Sequence, residues 1–180
     1  LLFEQLVSMR KSIHIPVILM GYMNPILQYG FERFCKAAKE VGVDGLILPD
    51  LPLFEFETIY GSAIQANGLD FIFLVTPETS EERLKKLDSL SSGFLYAVSS
   101  SATTGQDKDF SKVAMYLKRL KAFGLKNPFL VRFGIKDKES FNAVNEYANG
   151  AIIGSAYIKA LSAGDHIHTI TKNFLSSILK

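Results

Sequence analysis

The chain has 180 residues, of which 48% are hydrophobic and 21% are charged, so it is long and apolar enough for one domain with a substantial core. Lys plus Arg number 20 and Asp plus Glu 18, a formal net charge of +2, and this balance argues against a nucleic-acid or membrane-surface binder. One cysteine excludes a disulfide framework, and no apolar run approaches the roughly 20 residues of a membrane span, so we expect a cytoplasmic protein.

Apolar runs alternate with amphipathic segments along the whole sequence. The predicted strands are 17–25, 45–52, 71–77, 93–100, 129–135 and 150–156. The predicted helices are 3–10, 31–41, a segment ending near 67, 79–90, 110–123, 138–147 and the residues after the last strand. Apolar strands that are joined by single helices are typical of a parallel sheet covered on both faces.

Six units, each a strand followed by a helix, are compatible with an open doubly wound sheet or with part of a (β/α)8 barrel. A whole barrel takes roughly 250 residues, so this sequence is two units short of one. The opening helix lacks the strand that it should follow, and the first methionine is Met9. The shortfall of two units and the missing strand favour a barrel without its first strands. We therefore predict an α/β fold in which residues 1–180 form a single partial TIM-barrel domain of about six units.

The last two predicted strands end in sequences that favour a phosphate site. Functional residues of parallel α/β sheets follow the carboxyl ends of the strands, where this sequence has Gly134 and Gly154, with Ser155 opening a helical segment. Glycine allows a backbone amide to approach a phosphate closely, and a helix N-terminus adds further amides. The alternative is that these glycines only relieve crowding at a turn. Their occurrence on both of the last two strands favours phosphate.

Several other features have open or unremarkable interpretations. The polar segment 99–105 is predicted to be a lid rather than a segment that supplies a nucleophile, because it has no G-x-S-x-G elbow and no nearby histidine. Tyr96 is equally a core residue or a ligand contact. Asp50 is either a general base or, as we favour, a structural carboxylate that accepts backbone amides. No set of histidines and carboxylates has metal-ligand spacing, and Cys35 is predicted to be a core residue.

The order of six motifs resembles one known family, the alpha subunit of tryptophan synthase. The motifs are GYMNPILQYGFERF, GVDGLILPDLP, FIFLVTP, GFLYAVSSSATTG, FGI and AIIGSA, and together they span essentially the whole sequence. The resemblance implies strands 3 to 8 of a (β/α)8 barrel of the ribulose-phosphate-binding type. It also implies retro-aldol cleavage of indole-3-glycerol phosphate to indole and glyceraldehyde 3-phosphate. The implied partner is a beta subunit in an alpha2beta2 complex; that subunit carries the PLP, and this one carries no cofactor.

Site residues follow from the resemblance by position within the motifs. It implies phosphate and substrate contacts at Tyr96, Thr104, Gly105, Phe133, Gly134, Gly154 and Ser155. It implies an indole pocket at Met20, Ile47 and Ile152, and a loop facing the beta subunit that includes Asn24, Pro25, Leu27 and Gln28. Thr104 matches the threonine of the family's lid.

The family's catalytic glutamate and aspartate have no counterpart in this sequence. The glutamate ends the second barrel strand and the aspartate lies in the loop after it, and both segments fall outside residues 1–180. We therefore expect these residues alone not to complete the reaction. Arg132 also replaces a usual glycine, where its cation could bind phosphate or its bulk could obstruct it. The alternatives are a non-catalytic phosphate-binding subunit that activates a beta partner and another phosphate-binding barrel.

Overall fold

The computed structural model describes residues 1–98, 110–162, 164 and 166–179. The described residues form helices α1 (Leu2–Arg10), α2 (Met23–Tyr29), α3 (Phe31–Glu40), α4 (Leu53–Glu55), α5 (Gly61–Ala66), α6 (Glu81–Leu90), α7 (Phe110–Ala122), α8 (Lys138–Asn145), α9 (Ser155–Leu161) and α10 (Ile167–Leu179), with a π-helical segment at Phe56–Tyr60. They also form strands β1 (Ile18–Met20), β2 (Gly45–Ile47), β3 (Asp70–Phe71), β4 (Leu74–Val75), β5 (Leu95–Val98), β6 (Phe129–Arg132) and β7 (Gly150–Ala151). The chain divides into two compact units, which are described in turn.

The first unit comprises Leu1–Phe73 and Leu90–Gly93. Its three strands are parallel in the order β1-β2-β3. The middle strand is buried along its whole length, as expected for a parallel strand with side chains packed on both faces. Hydrophobic burial of this strand therefore contributes to holding the unit's sheet together.

Helix α3 shows why the sequence pattern predicted helices well in this unit. Its buried residues, Phe31, Phe34, Cys35 and Ala38, recur at the spacing of one helical face. The helix ends where Gly42 adopts a φ of 83°. There the Gly42 amide donates to the carbonyl of residue 39 and the next amide donates to that of residue 38, the hydrogen-bond pattern of a Schellman motif.

The predicted strand over 17–25 and the predicted loop near Asn24 are wrong in part. The strand ends at Met20, and residues Met23–Tyr29 form helix α2. Pro25 is compatible with the first turn of this helix, because amides there have no intrahelical acceptor. The Met23 amide instead donates to both carboxylate oxygens of Asp50, at 3.1 and 3.0 Å. A residue 27 positions away thus supplies the cap that the local sequence lacks.

The second unit comprises Leu74–Ser89 and Phe94–Lys180. Its four strands are parallel in the order β4-β5-β6-β7. One face of β5 and β6, formed by Leu95, Ala97, Phe129 and Val131, is almost entirely buried. The opposite face becomes more exposed toward the carboxyl end of β6, where Arg132 is exposed. The unit therefore presents a polar, accessible strand end beside an apolar core.

The predicted strand over 71–77 is two short strands rather than one. β3 pairs with β2, whereas β4 pairs with β5. The amide of Phe71, the last residue of β3, donates to Ser92 Oγ, and the Phe73 amide beyond it donates to Ser91 Oγ. Serine side chains thus take up amides that would otherwise seek a strand partner. In the described part of the chain, no helix is both long and apolar enough to cross a membrane.

Candidate functional site

A cleft of about 280 Å³ lies at the carboxyl ends of β6 and β7 in the second unit. It is lined by Arg132, Gly134, Ile135, Lys136, Ile152, Ile153, Gly154, Ser155, Ala156 and Lys159. Its position agrees with the general placement of ligand sites just beyond the carboxyl ends of parallel strands. Three residues of the predicted phosphate site, Gly134, Gly154 and Ser155, therefore lie together.

The register of the two strands brings their carboxyl ends to the same level. Val131 is paired with Ala151, and the Ile152 amide donates to the Val131 carbonyl at 2.9 Å. At the start of β6, the Phe129 amide donates to the Asn149 side chain, which holds the beginning of the strand beside β7. The segments that follow the two strands consequently open into the same cleft.

Side chains alternate strictly in direction after the start of β6. Val131, Phe133 and Ile135 are buried, whereas Arg132, Gly134 and Lys136 are exposed. These three exposed residues line the cleft, together with Ile135. This two-residue period is that of an extended strand, and it continues beyond Arg132, the last residue of β6. Burial of Val131 and Phe133 in the core thus accompanies exposure of Arg132 and Gly134 to the cleft.

The backbone at Gly154 is not crowded by the rest of the chain. A Cβ atom placed on Gly154 meets nothing within 4 Å, and its φ of −117° is one that other residues adopt. Relief of crowding therefore does not explain a glycine here. The absence of a side chain leaves the backbone accessible from the cleft, as close approach of a ligand requires.

The start of α9 adds amide donors to the same wall of the cleft. The helix begins at Ser155, and no side chain caps its N-terminal residue. The first amide with a helical acceptor is that of Ile158, which donates to the Gly154 carbonyl at 3.0 Å. The amides of the first turn are left to other acceptors, since a helix satisfies none of them internally. Ser155 and Ala156 both line the cleft.

The described residues that line the cleft include three cationic side chains. Arg132, Lys136 and Lys159 contribute cations, and no carboxylate occurs among the described residues that line it. Cationic side chains attract anions, and guanidinium groups in particular form paired hydrogen bonds with phosphate. The arrangement can bind an anionic group of phosphate size.

Comparison with known proteins adds an independent line of evidence. A family model described as "Tryptophan synthase alpha chain" matches residues 2–177. The tryptophan synthase alpha chain of Flavobacterium psychrophilum is 49% identical over 181 residues, which cover 100% of this chain and 68% of that protein. That of Flavobacterium johnsoniae is 51% identical over 163 residues, covering 90% and 64%.

The chain belongs to the tryptophan synthase alpha chain family. A solved structure of the tryptophan synthase A-subunit from Pyrococcus furiosus superposes with a TM-score of 0.85 at 31% identity, covering 98% of this chain and 71% of that one. These matches confirm both the predicted family and the predicted fold class, a (β/α)8 barrel represented in part. The chain spans about two thirds of the length of the curated relatives, from 68% down to 62%.

Two residues that the tryptophan synthase alpha resemblance assigns to ligand contact lie in the core beside the cleft. Tyr96 and Phe133 are both buried, with 6% and 7% of their surfaces exposed. Burial raises the pKa of the Tyr96 hydroxyl, and the nearby Arg132 charge opposes this effect. Neither side chain is among those that line the cleft. Thr104 and Gly105 lie outside the described residues.

The three residues predicted for the indole pocket fall in two places. Met20 and Ile47 are register partners on β1 and β2 of the first unit. Met20 is 57% exposed, whereas Ile47 is buried. Ile152 belongs to the second unit, where it lines the cleft. Their assignment to an indole pocket stays a prediction.

The four residues predicted to face a beta subunit lie on helix α2 rather than in a loop. Asn24, Pro25, Leu27 and Gln28 are exposed, while Met23 and Ile26 form the buried side of the helix. The helix therefore presents a continuous accessible face, and Leu27 is 46% exposed on it. The resemblance assigned this segment the wrong secondary structure, and its role in facing a beta subunit stays a prediction.

The structural interpretation of Asp50 is the one that the geometry favours. Asp50 is exposed, and its carboxylate accepts the Met23 amide at the start of α2. A carboxylate at a helix N-terminus also interacts favourably with the helix dipole. Cys35, as predicted, is a buried core residue, and burial raises the pKa of its thiol to about 11.

Sequence reasoning did not identify the two lysines of the cleft. Lys136 could have been found by continuing the strand alternation two residues beyond Gly134. Lys159 lies four residues after Ser155 on α9, one helical turn further along the same face. No sequence signal shows that this face of α9 is turned to the cleft.

Proposed function

We propose that this chain acts as a tryptophan synthase alpha subunit whose residues 1–180 supply the phosphate-binding part of the site. The substrate is indole-3-glycerol phosphate, and the products are indole and glyceraldehyde 3-phosphate. The observation that supports this proposal is the cationic cleft at the ends of β6 and β7, where Gly134, Gly154 and Ser155 meet. Membership of the family supplies the reaction class.

The reaction requires two proton transfers that the cleft itself does not provide. Cleavage breaks the bond between the indole ring and the glycerol chain, delivers a proton to the ring carbon and removes one from a hydroxyl as the aldehyde forms. General acid–base assistance of this kind contributes roughly 10²- to 10⁴-fold in rate. The described lining residues include no carboxylate, and Asp50 is occupied by the Met23 amide. In this proposal the cleft anchors the substrate, and the proton transfers need carboxylates from elsewhere in the assembled enzyme.

Substitution of Gly154 by alanine tests the anchoring role. A Cβ atom at Gly154 meets nothing within the chain, so Gly154→Ala should leave the free energy of unfolding nearly unchanged. It should nevertheless weaken binding of glycerol 3-phosphate, because the methyl group blocks the backbone from the cleft side. The matched control is Gly21→Ala, since a Cβ atom at Gly21 also meets nothing within 4 Å and that residue lies in the first unit.

Binding is best followed by titrating glycerol 3-phosphate into labelled protein and recording amide shifts. The proposal predicts that the amides of Gly134, Gly154 and Ser155 shift and that Gly154→Ala reduces the affinity while Gly21→Ala does not. An unperturbed spectrum at millimolar ligand would contradict the proposal. Equal affinity of the Gly154→Ala variant would contradict the role of this backbone.

A second candidate is a non-catalytic subunit that binds a phosphate ligand and activates a beta partner. The absence of a carboxylate from the described lining of the cleft favours it, as does the exposed face of α2. The two candidates differ in one assay, in which the chain is added to a tryptophan synthase beta subunit. Stimulated synthesis of tryptophan from indole and serine, without release of indole from indole-3-glycerol phosphate, would support the second candidate. Release of indole would support the first.

A further inference from the structure

No further inference is drawn: the strongest candidate, the largely apolar groove of about 370 Å³ along helix α10 in the second unit, lined by His168, Thr171, Lys172, Leu175, Ser176 and Leu179, carries nothing because nothing in the described part of the structure shows what covers it.

Discussion

The carboxylate of Asp88 is expected to stabilise the second unit substantially. Asp88 is 8% exposed at the end of α6. Its Oδ2 accepts the Lys126 amide at 2.7 Å, and its Oδ1 accepts the Asn127 amide at 3.0 Å. The Asn127 side-chain amide donates to Oδ1 at 3.0 Å and to the Asp88 carbonyl at 2.7 Å. These bonds fix the segment that immediately precedes β6, the strand that carries Arg132.

The expected cost of Asp88→Ala follows from the groups that would lose their acceptors. The Lys126 amide belongs to an exposed residue and can turn to water, whereas Asn127 is buried. An unsatisfied buried amide costs about 1–3 kcal/mol, and hydrogen bonds to charged groups contribute about 1.5–3 kcal/mol each. We therefore expect Asp88→Ala to lower the free energy of unfolding by about 2–4 kcal/mol. Asp88→Asn keeps one acceptor oxygen and should fall between this variant and the unsubstituted protein.

Urea unfolding at 25 °C measures this effect. The slope of the unfolding free energy against urea concentration shows whether the surface exposed on unfolding has changed. The neighbouring Ser89→Ala is the control, because Ser89 makes a single exposed hydrogen bond to the Lys86 carbonyl and should shift the stability by less than about 0.5 kcal/mol. Glycerol 3-phosphate should still bind folded Asp88→Ala, since Asn149 also holds the start of β6. A loss below about 0.5 kcal/mol with an unchanged slope would refute the reasoning.

Three further predictions concern local features of the fold. Hydrogen bonds from Ser140 lower the pKa of Asp137 below its ordinary value of 3.8. The stabilisation that the Asp137 carboxylate gives to the folded protein should therefore be complete above that value and fade as the pH falls through the lowered pKa. The melting-temperature difference between the unsubstituted protein and Asp137→Ala should shrink from pH 7 to pH 2. Gly61→Ala should destabilise the protein by about 1–3 kcal/mol, because its Cβ would lie 2.6 Å from the Phe56 carbonyl oxygen. Ser62→Ala, at an exposed position, is the control, and equal unfolding curves for the two variants would contradict this prediction. The Cys35 thiol, with its pKa raised from 9.0 to about 11, should react with iodoacetamide at pH 8 at least about a hundredfold more slowly in the native than in the urea-unfolded protein, and comparable rates would show that it is accessible.

The helices that were predicted correctly are those whose sequence signals lie within or next to the helix itself. Phe31, Phe34 and Ala38 recur at helical spacing, and Gly42 supplies the positive φ at which α3 ends. Helix α2 was missed for the opposite reason. Its cap comes from Asp50, 27 residues further along the chain, and nothing near Met23 signals a helix start. Local pattern therefore predicts the amphipathic helices but not a short helix that tertiary contacts stabilise.

The residues of the proposed phosphate site divide in the same way between those that local sequence predicts and those that depend on the tertiary fold. Gly134, Gly154 and Ser155 could be selected because a parallel sheet collects the carboxyl ends of its strands at one edge. The charge of the site could not be predicted in this way, because it depends on which side chains face the cleft. Arg132 admits two opposed interpretations from the sequence, and the structure adds that it lines the cleft. Lys159 required knowing which face of α9 is turned inward, and that face is set by packing of the helix rather than by its own sequence.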